Sequence, residues 1–158
     1  MSAHDFSFPG IDGGEIDLSD HSGKAILIVN TASACGFTPQ YKDLQGLWEA
    51  EKGNQLVVVG VPSNNFGAQE PGSDGEVKSF CETKFGVTFP MAAKQEVVGA
   101  GAHPFYKWIT DQAGEGAAPK WNFHKYLIGP DGALVESFPS NVAPQSAELK
   151  DAIANCLK

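Results

Sequence analysis

The sequence predicts an α/β fold, and three observations carry that expectation. Two short apolar runs, AILIV within residues 24–30 and LVVVGV over residues 56–61, present no polar face. Such runs read as strands buried on both sides of a sheet. Between them, Tyr41, Leu44, Leu47 and Trp48 fall on one helical stripe, so strand, helix and strand alternate.

Taken in order, FSFPGIDGGEIDL alternates weakly and is broken by Gly and Pro, which suggests a short N-terminal β-hairpin. Residues 24–30 form the first buried strand. Thr38 can cap the helix that follows, and Pro39 suits its first turn, where no backbone partner is lost. Residues 56–61 form the second strand, expected parallel to the first through a right-handed crossover. Ser73 or Asp74 can cap a helix with Val77, Phe80, Cys81 and Phe85 on one face. HPFYKWITD reads as a shorter helix. WNFHKYLIGPDGALVESF reads as two strands joined at Pro130-Asp131-Gly132, and Leu149, Ile153 and Leu157 mark a last helix. This order describes a thioredoxin-like core, a central mixed sheet flanked by helices, in one domain over residues 1–158.

The chain has 158 residues and a formal charge of −8, which argues against nucleic acid or an anionic membrane as partner. No apolar run approaches the roughly 20 residues of a membrane span. MSAHDFSFPGIDG lacks the basic start and apolar core of a signal peptide, so a cytoplasmic location, with thiols kept reduced, is expected. Three widely spaced cysteines do not suggest a disulfide scaffold. All eleven basic residues are lysines. A site needing a planar two-pronged clamp on a carboxylate must do without arginine.

Cys35 lies in TASACGFTPQ, after the first strand and before the first helix. In an open α/β sheet, reactive groups collect where strand C-termini meet helix N-termini, and a helix N-terminus favours thiolate over thiol. The alternative is a buried structural cysteine, since free Cys is among the most buried residue types. A lowered pKa alone raises the thiolate fraction only tens of times near neutral pH, roughly, and nucleophilicity falls with it. Fast chemistry would need donors for the departing charge. Asn64, Asn65 and Gln69 after the second strand, and Trp121 and Asn122 in WNF, are uncharged donors. Taken singly, each reads equally as a turn-solvating amide or a packing indole.

Together, ILIVNTASACGFTPQY, VVVGVPSNNFGAQEPGS, FCETKFGVTFPM, HPFYKWI and PKWNFHKYLIGPDG resemble the glutathione peroxidase family, in the family's order. The resemblance implies a thioredoxin-like fold and a peroxidase that reduces hydrogen peroxide and organic or lipid hydroperoxides, in antioxidant defence. It places the reactive residue at Cys35 and its site partners at Gln69, Trp121 and Asn122. Asn65 stands where many relatives have Gln, and Ser63 where many have Cys. Cys35 thiolate would attack the distal peroxide oxygen and become a sulfenic acid.

Cys81 stands where thioredoxin-dependent relatives carry a resolving cysteine, although on pattern alone it belongs to the apolar face of its helix. The resemblance then implies a Cys35–Cys81 disulfide reduced by thioredoxin, with no prosthetic cofactor. A disulfide needs Cα atoms within about 7 Å, so the Cys81 helix is expected to unwind during turnover. Two alternatives stand beside this: recycling by glutathione, and a peroxide sensor that passes oxidation to a partner protein. Cys156 reads as packing. The stretch DQAGEGAAPK lacks the insertion that tetrameric relatives use, implying a monomer with an open, fairly flat site. Cys35-Gly36-Phe37-Thr38 is not C-x-x-C, and His4, His21, His103 and His124 form no metal-ligand spacing.

Overall fold

The two apolar runs pair with each other in parallel. β3 (Ala25–Thr31) lies beside β4 (Leu56–Pro62) in register from Ala25↔Leu56 to Thr31↔Pro62. The computed structural model describes residues 1–51, 53 and 55–158. Every residue of both strands is buried, and the period of two explains how. Leu27, Val29 and Val58 face one layer; Ile26, Ile28, Val57 and Val59 face the other.

Before them, β1 (Ser7–Pro9) and β2 (Glu15–Asp17) form the expected antiparallel hairpin. After them, β5 (Lys125–Ile128) pairs antiparallel with β3, and β6 (Leu134–Phe138) antiparallel with β5. The main sheet thus runs β4-β3-β5-β6 and is mixed, as expected. β4 is an edge strand by that order, yet it is covered. Gly60 N–H donates to Pro90 O, Ala92 N–H to Gly60 O and Gln95 N–H to Pro62 O, so residues 90–95 satisfy its outer groups.

α1 (Gln40–Glu51), α2 (Asp74–Phe85) and α4 (Ala147–Cys156) supply Tyr41, Leu44, Val77, Cys81, Leu149 and Ile153 to one layer. α3 (Pro104–Ala113) packs Phe105, Tyr106, Trp108 and Ile109 on the other, together with Phe8 of the hairpin. α2 is capped by Ser73, whose hydroxyl accepts from Glu76 N–H while the Glu76 carboxylate accepts from Ser73 N–H. It ends at Gly86, whose φ of 61° is the left-handed geometry that favours glycine. Between those caps Val77 and Cys81 are buried, and the half-buried Phe80 and Phe85 pack against the same layer, the Phe85 ring centroid 5.5 Å from that of Tyr41. No helix among the described residues is long and apolar enough to cross a membrane.

Candidate active site

Three segments converge at the carboxyl ends of β3 and β4: residues 32–39, residues 63–70 and residues 121–124. The third arrives there because β5 runs antiparallel to β3. Asn30, at the end of β3, pins it. Its side-chain amide donates to Trp121 O at 2.9 Å, and its own carbonyl accepts from Phe123 N–H at 2.6 Å.

Cys35 sits in the first segment. Its N–H donates to Thr38 Oγ1 at 2.8 Å, and that hydroxyl donates in turn to Ala32 O at 2.9 Å. Thr38, expected as a helix cap, therefore turns its side chain back onto the cysteine. Phe37 N–H donates to Cys35 Sγ at 3.3 Å. Thr38 N–H to Cys35 O, Gln40 N–H to Phe37 O and Tyr41 N–H to Thr38 O wind a tight turn into α1. Backbone N–H groups at a helix entry are the local feature that favours a thiolate over a thiol.

The second segment is attached to the first by one backbone bond, Ala34 N–H to Gln69 O at 3.1 Å. Gly67 and Ala68 have φ of 66° and 52°, which curls the loop and turns Gln69 back toward the strands. Asn122, with no exposed surface, donates its amide to Gln69 Oε1 at 2.9 Å and to Phe66 O at 3.3 Å. That leaves the Gln69 amide hydrogens free to donate elsewhere. Trp121 is 37 % exposed, and its ring centroid lies 5.8 Å from that of Phe66. It also covers Gly67 so closely that a Cβ there would stand 3.0 Å from the indole.

Gln69, Trp121 and Asn122 thus form one contact cluster, and Cys35 joins it through the Ala34–Gln69 backbone bond. Among the described residues no side-chain hydrogen bond links the sulfur itself to those three. Cys35 is only 8 % exposed, so the site is less open at the sulfur than expected. Asn64 and Asn65 are structural here. Asn64 Oδ1 accepts from Glu70 N–H at 2.9 Å, and Asn65 Oδ1 accepts from Val97 N–H at 2.6 Å.

Sequence reasoning missed Thr38's orienting role, Asn30 and Glu70. Glu70 is buried, accepts from the Ser33 hydroxyl at 2.9 Å, and has its pKa raised by burial. Its only signal was its place beside Gln69.

Cys81 is 1 % exposed, and burial pushes its thiol up to about 11. It shares an apolar cluster with Cys35, and both thiols are free. The buried Tyr41 hydroxyl faces Thr31 and Cys81 without hydrogen-bond geometry to either. Cys156, half-buried on α4, donates its thiol to Ile153 O at 3.3 Å. No group of three or more His, Cys, Asp or Glu side chains among the described residues is placed to hold a metal.

A family model described as glutathione peroxidase matches residues 3–110. The hydroperoxy fatty acid reductase gpx1 of Synechocystis sp. is 46% identical, over 88% of this chain and 87% of its own. The thioredoxin/glutathione peroxidase BtuE of Escherichia coli is 38% identical over 90% of each chain. The crystal structure of Trgpx in apo form superposes with a TM-score of 0.78 at 38% identity, covering 99% of this chain and 95% of that one. A thioredoxin-family thiol:disulfide interchange protein from Chlorobium tepidum, 17% identical, reaches 0.71 over 97% and 93% of the two chains, a likeness of fold alone.

Proposed function

The chain belongs to the glutathione peroxidase family and is a thiol peroxidase, and from that premise we propose that Cys35 is its peroxidatic thiol, served by Gln69, Trp121 and Asn122. The chain acts in this reading as one domain over residues 1–158. The observation that carries it is the Phe37 N–H donated to Cys35 Sγ at 3.3 Å, in a segment bonded directly to Gln69.

The thiolate attacks the distal oxygen of a hydroperoxide. The S–O bond forms as the O–O bond breaks, the sulfur is oxidised to a sulfenic acid, and the departing oxygen takes a proton to leave as water or an alcohol. The free amide hydrogens of Gln69 and the Trp121 indole N–H stabilise the charge that passes from the sulfur to the departing oxygen, and the proton that the Cys35 thiol gave up on ionising returns to that oxygen through solvent. Asn122 holds Gln69 in the orientation that exposes those hydrogens.

Cys81 resolves the sulfenic acid. Its thiol displaces water from Cys35, a disulfide forms, and a dithiol of the thioredoxin type reduces both sulfurs. The family relative from E. coli, named for both thioredoxin and glutathione, supports a reductant of this kind. The absence of arginine weighs against tight binding of glutathione carboxylates. A thiol held at about 11 inside a helix cannot attack where it sits, so resolution requires α2 to open. A cleft of about 400 Å³ that runs past Cys81 between α2 and Ile11 and Ile16 of the hairpin supports this.

Monomeric action on hydrogen peroxide and lipid hydroperoxides completes the reading. The test is NADPH consumption with thioredoxin and its reductase, run beside glutathione and its reductase. Sustained turnover with thioredoxin, abolished in Cys81→Ser, supports the cycle. Sustained turnover with thioredoxin that is equal in both proteins rejects Cys81 as the resolving residue, and a single stoichiometric burst identifies a relay instead.

A further inference from the structure

Lys125 is the first residue of β5 and has no exposed surface. A buried ammonium is costly unless its hydrogens are satisfied. Among the described residues its partners are two carbonyls and no carboxylate. It donates to Phe123 O at 2.7 Å and to Ser140 O at 3.4 Å. Phe123 has a φ of 66°, so it is the strained corner of the turn that presents Trp121 and Asn122. Ser140 O also accepts from Gln40 Nε2 at 2.8 Å, and Gln40 is the first residue of α1, the helix that Cys35 precedes.

We propose that Lys125 is a positioning residue of the peroxidase site, one buried ammonium that ties the Asn122 turn to the entry of α1. It rests on the peroxidase reading above. Lys125 touches neither peroxide nor sulfur. It holds the Phe123 carbonyl, which fixes the corner that aims Asn122 at Gln69 Oε1. Through Ser140 O it shares an acceptor with the helix that carries the Cys35 turn.

The tie depends on charge, because an N⁺–H to carbonyl bond is roughly twice as strong as a neutral one. Burial draws the Lys125 pKa down to about 7, within the working range of a thiol peroxidase. No charged group on β3, β6, α1 or the Ser140 turn opposes that shift among the described residues. Of its two titratable neighbours in sequence, His124 is held down to about 4 by burial and the Tyr126 hydroxyl is pushed well up by burial, so both stay neutral. Loss of the Lys125 proton as pH rises through about 7 loosens the turn and lowers the oxidation rate.

The experiment compares reduced wild-type protein with Lys125→Met, a change that removes a buried charge at nearly constant shape and is expected to preserve or raise the melting temperature. Single-turnover oxidation of Cys35 by hydrogen peroxide should be about tenfold slower in Lys125→Met at pH 6, and its pH profile should lose the descending limb near pH 7. In wild-type protein, the Asn122 side-chain amide NMR signals should shift with the Lys125 ε-methylene titration. A folded Lys125→Met with the wild-type rate and profile overturns the proposal. So do Asn122 signals that stay fixed while Lys125 titrates, a readout that decides even when the variant does not fold. Wild-type protein inert to peroxide, with the Asn122 and Lys125 titrations still coupled, would instead overturn the peroxidase reading alone.

Discussion

Asn122 Nδ2 and Gln69 Oε1 lie 2.9 Å apart, joining residues 53 positions apart in the chain. The bond has a direction: Asn122 donates, Gln69 accepts, and the Gln69 hydrogens are released for use elsewhere. Asn122→Asp keeps the shape but supplies only acceptors. It should slow Cys35 oxidation by about 10²-fold, the scale of losing one preorganised donor. Stopped-flow kinetics checks this; a change below about threefold would show that the bond does not orient the site.

Thr38 should matter to the Cys35 turn more than to α1. Thr38→Val removes a buried acceptor from the Cys35 N–H, at a cost of about 1–3 kcal/mol in urea unfolding. Thr38→Ser keeps the hydroxyl and should recover most of that stability. Equal losses in both would point to methyl packing instead.

Gly67→Ala tests the loop that carries Gln69. The backbone there is left-handed, and the new Cβ would stand 3.0 Å from the Trp121 ring. We expect a loss of about 1 kcal/mol and a changed Trp121 emission. Unchanged emission would mean that the indole does not rest on the loop in solution.

Stability should rise with pH through the neutral range. His124 and Lys125 have folded pKa values of about 4 and about 7, both below their ordinary values of 6.5 and 10.5. The unfolded chain therefore binds more protons than the folded one between those limits. Their contribution is complete only above the ordinary values and is lost as pH falls through the folded ones. Urea midpoints should increase from pH 5 to pH 8.5, and Lys125→Met should flatten the part above pH 7. Cys81 works in the opposite sense but only above about pH 9, where its raised pKa begins to favour unfolding.

The fold was legible because the strands are short, apolar and separated by helical stripes. Ala25–Thr31 and Leu56–Pro62 match the expected strands within a residue or two. The site was legible only in part. Cys35, Gln69, Trp121 and Asn122 are visible as residue types at loop positions, and the resemblance groups them. What joins them is long-range: Asn30 with Trp121, Ala34 with Gln69, Lys125 with Ser140. Pairings of that kind leave no periodicity in a sequence. Thr38 shows the same limit locally, since a Thr ahead of a helix looks the same whether its hydroxyl points forward or back.

The central claim is that Cys35 alone meets the peroxide, and the most direct measurement is a single turnover. Reduced protein is mixed with one equivalent of hydrogen peroxide, Trp121 emission is followed, and the product is mapped by mass spectrometry. The account predicts that one equivalent is consumed with oxidation at Cys35, and that Cys35→Ser is inert. Peroxide consumed at the wild-type rate by Cys35→Ser would contradict it.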